Sequence, residues 1–212
     1  FFSFKNIIEA QGIKITFMLG SHGCPDHIFP NWFATFQDKS MQIFSMKALN
    51  RRAEKIPSMI KSLETKYKLV DNLTPYEEKG IFLESTRSMV FDRVNMIAYI
   101  GKSVRTNESL AREWCSKNGF EIVIFETTSH RNNPIYHTDV LMFVGTDMIG
   151  LCDEVINDDY KEEVLSRAQK YHDVMLLTKD QILDFCGNAL EARNNKDEKY
   201  LIMSSRAQKS LT

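Results

Sequence analysis

The chain has 212 residues, 43% of them hydrophobic, and a formal net charge of -1 at pH 7. That is enough apolar material for one substantial core, so a single domain over residues 1–212 is the default. The mixed charge shows no basic run that would draw nucleic acid, and no apolar stretch reaches the roughly 18 residues of a membrane span.

No signal peptide is visible, although the chain begins Phe1-Phe2 without methionine. The four cysteines, Cys24, Cys115, Cys152 and Cys186, are irregularly spaced and form no CxxC pair. Their pattern fits neither a zinc site nor a secreted disulfide framework, and predicts an intracellular, reducing compartment such as the cytoplasm or the mitochondrial matrix. His22, Cys24, Asp26 and His27 have no second cluster to complete a tetrahedral site, so neither a metal nor a cofactor is expected.

In chain order, Phe4, Ile7 and Ile8 have helical spacing, with Gly12 as the stop. Residues 13–18 alternate like a strand. Next come a strand over 31–36, a turn over 37–40 and a returning strand over 41–44. A polar corner at Asn50-Arg51-Arg52 precedes a helix through Ile60, Leu63 and Tyr67, which Pro57 must start or kink. A strand over 68–71 closes the unit.

The same order recurs: a hairpin over 88–91 and 96–100, a corner at 103–106, and a helix capped by Thr106 or Asn107 and ended by Asn118-Gly119. A strand over 120–125 follows. A third copy has strands over 140–144 and 148–151, a helix from about Asp158 to Lys170 and a strand over 174–177. Thr178 to Gln181 then resembles a capping box. A fourth copy has strands over 188–192 and 200–203 and a corner at 204–207, with no helix expected after it.

A period of roughly 40 to 55 residues with this order predicts an α/β fold of ββαβ modules that share one core around an axis. The expected divisions are 1–24 (partial), 25–81, 82–134, 135–184 and 185–212 (partial), a ring incomplete at both ends.

The third module opens on Tyr136-His137-Thr138-Asp139. In an extended strand, residues i and i+2 face one side, so His137 and Asp139 would share a pocket as an acid/base pair. The plainer alternative is a histidine at a strand start that hydrogen-bonds the backbone. Polar loops precede the first strand of each module, and radial packing would gather Asp26, Glu84, His137 and Asp139 in a central cavity. Acids and a histidine so placed suit a guanidinium substrate.

At these segments the chain resembles the guanidino-group-modifying superfamily of amidinotransferases, arginine deiminases and dimethylarginine hydrolases, nearest its citrulline-utilisation hydrolase-type branch. The resemblance rests on Pro25-Asp26 to Phe29-Pro30-Asn31-Trp32, Asn50-Arg51-Arg52-Ala53-Glu54, Phe82-Leu83-Glu84 with Ser88 to Arg93, Tyr136 to Val140, Gly187-Asn188 with Leu190-Glu191, and Met203-Ser204, Ala207 and Ser210-Leu211. It implies a pseudo-fivefold α/β propeller and attack by a cysteine thiolate on a guanidinium carbon. By the resemblance, His137 is the catalytic acid/base, Asp139 its companion, Glu84 a guanidinium-binding acid, and Asp26 and Asn31 further substrate contacts.

The chain departs from the family pattern in three places. None of its cysteines occupies the nucleophile's position, Cys186 being the nearest in style. Asn31 stands where the branch has two asparagines. Ser85 and Arg87 stand where it has glycines, so that Arg87 would repel a guanidinium, pair with Glu84 or Asp139, or lie on the surface. These departures predict a propeller without its chemistry, a structural or interaction subunit whose open module flanks are covered by a protein partner or a multi-subunit assembly. The alternatives are an active hydrolase or amidinotransferase whose ends lie outside this chain, and a sensor binding an arginine-like small molecule.

Overall fold

The computed structural model describes residues 2–211; Phe1 and Thr212, the outer bounds of the expected domain, lie outside the described residues. Helix α1 (Phe2–Ala10) opens the chain and stops at Gly12, whose φ of 78° is the left-handed conformation that glycine adopts without cost. Residues 13–18 form no strand, contrary to their alternating pattern. Alternation alone does not make a strand without a neighbour to complete the hydrogen-bond ladder.

Three three-stranded sheets follow, each built as an antiparallel hairpin with a third strand parallel to its second. In the first, β1 (Phe33–Thr35) and β2 (Ser40–Ile43) pair, α2 (Leu49–Arg52) and α3 (Pro57–Glu64) cross over, and β3 (Lys68–Asn72) returns beside β2. Pro57 starts α3 rather than kinking it. The polar corner at Asn50-Arg51-Arg52 is itself helical.

The second unit has α4 (Ser85–Ser88), β4 (Met89–Asp92), β5 (Ile97–Gly101), α5 (Glu108–Asn118) and β6 (Glu121–Phe125). Asn107 caps α5 by accepting the Leu110 N–H, and Gly119 ends it at φ 75°.

The third has β7 (Met142–Val144), β8 (Met148–Leu151), α6 (Asp158–Gln169) and β9 (Asp173–Leu176), and α7 (Lys179–Leu183) follows with the capping box at Thr178 and Gln181 in place. The expected strand over 140–144 begins only at Met142, because Thr138–Val140 is a 3-10 turn. A last hairpin pairs β10 (Leu190–Arg193) with β11 (Lys199–Ile202). The corner at 204–207 then leads into helix α8 (Ser205–Leu211), where no helix was expected.

The first strands of successive units meet: β4 packs on β7, and β7 on β10, while α4 lies against β1. The units are therefore arranged radially, as an α/β propeller of ββαβ modules. Every residue of β4 and β5 is buried, whereas β3 alternates half-buried and exposed positions. This explains why the inner strands read as continuous apolar runs.

The core crosses unit boundaries. Ala34, Phe44 and Leu73 of the first unit pack with Met89, Phe91 and Trp114 of the second. Trp114 stacks on Phe91 at 5.3 Å between ring centroids and on Phe120 at 5.6 Å, and its Nε1 donates to Gln42 Oε1 at 2.6 Å. The bond to Gln42 and the Phe44 ring, 5.7 Å between centroids, tie the indole to the first unit. Among the described residues, no helix is long and apolar enough to cross a membrane.

Candidate functional site

The site is assembled where short segments bridge neighbouring units. Leu83 makes isolated bridges to Ser45 on one side and Thr106 on the other, which fixes the backbone just before Glu84. Glu84 precedes α4, and Ser85 then adopts φ 42°, left-handed backbone that costs a residue with a Cβ roughly 1 kcal/mol or more. Ser85 Oγ donates to Phe33 O at 3.0 Å, holding the turn against β1. Thr138 ties in the third unit: its hydroxyl donates to Ser88 O at 2.7 Å and accepts the Gly101 N–H at 2.9 Å. Gly187 lies so close that a Cβ there would come within 2.2 Å of Val140 O, and only glycine permits that approach.

This framework brings Glu84 and His137 together, fully buried and 5% exposed respectively, with Oε2 and Nε2 2.7 Å apart. Glu84 also accepts the Lys47 N–H at 2.9 Å and the Arg105 guanidinium, whose Nη1 lies 3.2 Å from each carboxylate oxygen. Burial alone would raise its pKa. The hydrogen bonds from His137 and Lys47 and the charges of His137 and Arg105 outweigh burial and hold the carboxyl below its ordinary value. His137 turns Nε2 to the Glu84 carboxylate, and its Nδ1 has no hydrogen-bond partner among the described residues.

Asp139 is not on that pair. Because 137–140 turns rather than extends, the i, i+2 argument for a shared face does not apply, and Asp139 instead faces Arg87. Its Oδ2 lies 3.6 Å from Arg87 Nε, and its Oδ1 is buried without a hydrogen-bond partner among the described residues. The side chain keeps 24% of its exposure, yet burial pushes its pKa up against the opposing charges of Arg87 and His137. Arg87 also lies over the Phe29 ring, 5.0 Å from its centroid. Together with Asn31, these three residues line a cavity of about 600 Å³ between β4, β7 and the turn before β10. His137 and Glu84 are in the wall behind it and do not line it.

Arg51 anchors the loop over 25–31. It donates to the carbonyls of Asp26 and Phe29 and to Asn31 Oδ1, while the Asp26 side chain, 51% exposed, stays 3.8 Å from the guanidinium outside the cavity. Glu54 lies beside Arg51 at 3.1 Å but off the hydrogen-bond direction, and burial raises its pKa to about 7 in spite of the Arg51 charge. Arg51 and Glu54 stand three residues apart in the sequence, a visible i, i+3 pair. Arg105 gave no such signal, because its partner Glu84 is on another corner.

The thiols are elsewhere. Cys115, Cys152 and Cys186 are buried, and Cys24 is half-buried. Burial pushes Cys115 up to about 12 and Cys152 up to about 11. Cys186 is also raised by burial, and its Sγ contacts Ala207 O at 3.5 Å, away from the cavity. Among the described residues, no three His, Cys, Asp or Glu side chains form a metal-ligand group.

Solved structures share this architecture. The N-terminal domain of ArgZ, an arginine dihydrolase from cyanobacteria, was solved as a cysteine-to-serine variant bound to substrate. It matches with a TM-score of 0.70 at 14% identity, over 99% of this chain and 73% of its own. Unliganded AgrE gives 0.74 at 14% identity, over 99% of this chain and 29% of AgrE. A histidine-to-glycine variant of dimethylarginine dimethylaminohydrolase, as an adduct with S-methyl-L-thiocitrulline, gives 0.67 at 13% identity, over 98% of this chain and 74% of that one. At these identities the likeness is one of fold, and it is the pseudo-fivefold propeller. No curated protein matches the chain significantly. The model of the eukaryotic N,N dimethylarginine dimethylhydrolase family matches residues 1–212, and the chain belongs to that family.

Proposed function

We propose that these 212 residues form a member of the family that retains the acidic wall of a guanidino site and performs no thiol chemistry of its own, serving as a structural or interaction domain. The observation that carries this reading is that every cysteine lies off the cavity, while Arg87 lies in it. Attack on a guanidinium carbon needs a thiolate within contact distance, and a thiol raised toward 11 or 12 by burial supplies almost none at neutral pH. Asp139 and Asn31 are the groups that would face an arginine-like ligand, with His137 and Glu84 paired in the wall behind them.

Incubating the purified chain with L-arginine and with methylated arginines, and measuring citrulline, tests the reading. No citrulline is expected. Turnover that disappears in His137→Ala would overturn it and restore a hydrolase.

A further inference from the structure

The cavity contains a guanidinium of the chain's own. Arg87 leaves the last turn of α4, and its side chain is 21% exposed. It meets Asp139 at 3.6 Å on one edge and the Phe29 ring at 5.0 Å on its face. A carboxylate at the edge and an aromatic ring over the plane are the two contacts a binding site offers to a guanidinium. Both partners come from other segments: Phe29 from the loop that Arg51 anchors, and Asp139 from the 3-10 turn that Thr138 and Asn188 hold. These surroundings are fixed independently of Arg87.

The occupancy is loose. The ion pair is longer than a hydrogen bond, and Asp139 Oδ1 is left without a partner among the described residues. A tight structural arginine would use both carboxylate oxygens, as a bidentate pair does. A guanidinium entering from the cavity with two N–H groups in plane could satisfy Asp139 better than Arg87 does, but only where Arg87 now lies.

We infer that Arg87 occupies the guanidinium subsite of its own cavity and is the residue that sets the cavity's selectivity, excluding arginine-like cations by direct competition for Asp139 and Phe29. The inference rests on the family reading only for the chemical class of the competing ligand.

The test compares the wild-type chain with Arg87→Ala and with the double variant Arg87→Ala, Asp139→Asn. Thermal melting is followed with low-millimolar guanidinium chloride or sodium chloride, and calorimetric titration uses L-arginine and its uncharged counterpart L-citrulline. Arg87→Ala should lose thermal stability and regain it with guanidinium but not with sodium. It should bind arginine at least tenfold more tightly than wild type, prefer arginine to citrulline, and lose that gain when Asp139 is replaced. If Arg87→Ala does not fold, Arg87→Met keeps the aliphatic stem and is read in the same way. A variant that gains nothing from guanidinium and binds arginine no better than wild type overturns the inference and leaves the non-catalytic reading standing. Citrulline release from L-arginine by the wild type overturns both the exclusion by Arg87 and the non-catalytic reading.

Discussion

Two buried histidine–carboxylate pairs bracket β4. One, His137 with Glu84, precedes the strand; the other, His172 with Asp92, closes it. Both have a 2.7 Å contact through Nε2, and both leave Nδ1 buried without a hydrogen-bond partner among the described residues. Their surroundings separate them. Asp92 accepts the N–H groups of Val94 and Asn95 at 3.1 and 2.9 Å and the Asn95 side chain at 2.8 Å, the bonds of a capped hairpin turn. Glu84 instead accepts an arginine and a backbone N–H and lies three residues before Arg87, behind the cavity wall, whereas Asp92 borders the cavity with its oxygens already taken. A buried histidine beside an acid is therefore not itself a site. What marks one is spare binding capacity next to a cavity, and here that capacity belongs to Asp139.

The comparison is broken most strongly at the turn. Asp92→Ala removes three acceptor contacts and leaves His172 buried without its carboxylate. It should cost about 3–5 kcal/mol in urea unfolding. A small loss would mean that the His172 pair is not holding the hairpin.

A third carboxylate sharpens the contrast. Glu84 and Asp92 are kept ionised by hydrogen bonds that outweigh burial, whereas Glu54 has only an off-line Arg51 and is raised from 4.5 to about 7. A carboxyl whose folded pKa exceeds its unfolded value contributes full stability below the unfolded value and loses it as pH rises through the folded one. Glu54→Gln should therefore match wild type near pH 4.5 and exceed it above pH 7 by on the order of 1–3 kcal/mol. Melting curves across that range check it. A constant difference would show that Glu54 does not titrate there.

Much of the propeller was legible in the sequence, because the hairpins and caps are written locally. Asn107, Gly119 and Thr178 act as their residue types predict, and the buried strands β4 and β5 stand out as apolar runs. The geometry of the candidate site was not legible in the sequence. Val140 to Val144 looks like one strand, yet its first residues turn to let Thr138 reach Ser88 and Gly101, which separates Asp139 from His137. Partners 53 residues apart, such as Glu84 and His137, or 80 apart, such as Asp92 and His172, leave no spacing to read. Residues 13–18 fail in the opposite way, with a strand pattern and no neighbouring strand to pair with.

The account stands or falls on the thiols. Native protein treated with iodoacetamide at pH 6 and at pH 8, then mapped by mass spectrometry, tests them directly. Cys115, Cys152 and Cys186 should remain unlabelled until the chain is unfolded, and half-buried Cys24 should label only slowly. Rapid labelling of any of the four at pH 6, suppressed by L-arginine, would reveal an activated thiolate facing the cavity and contradict the account.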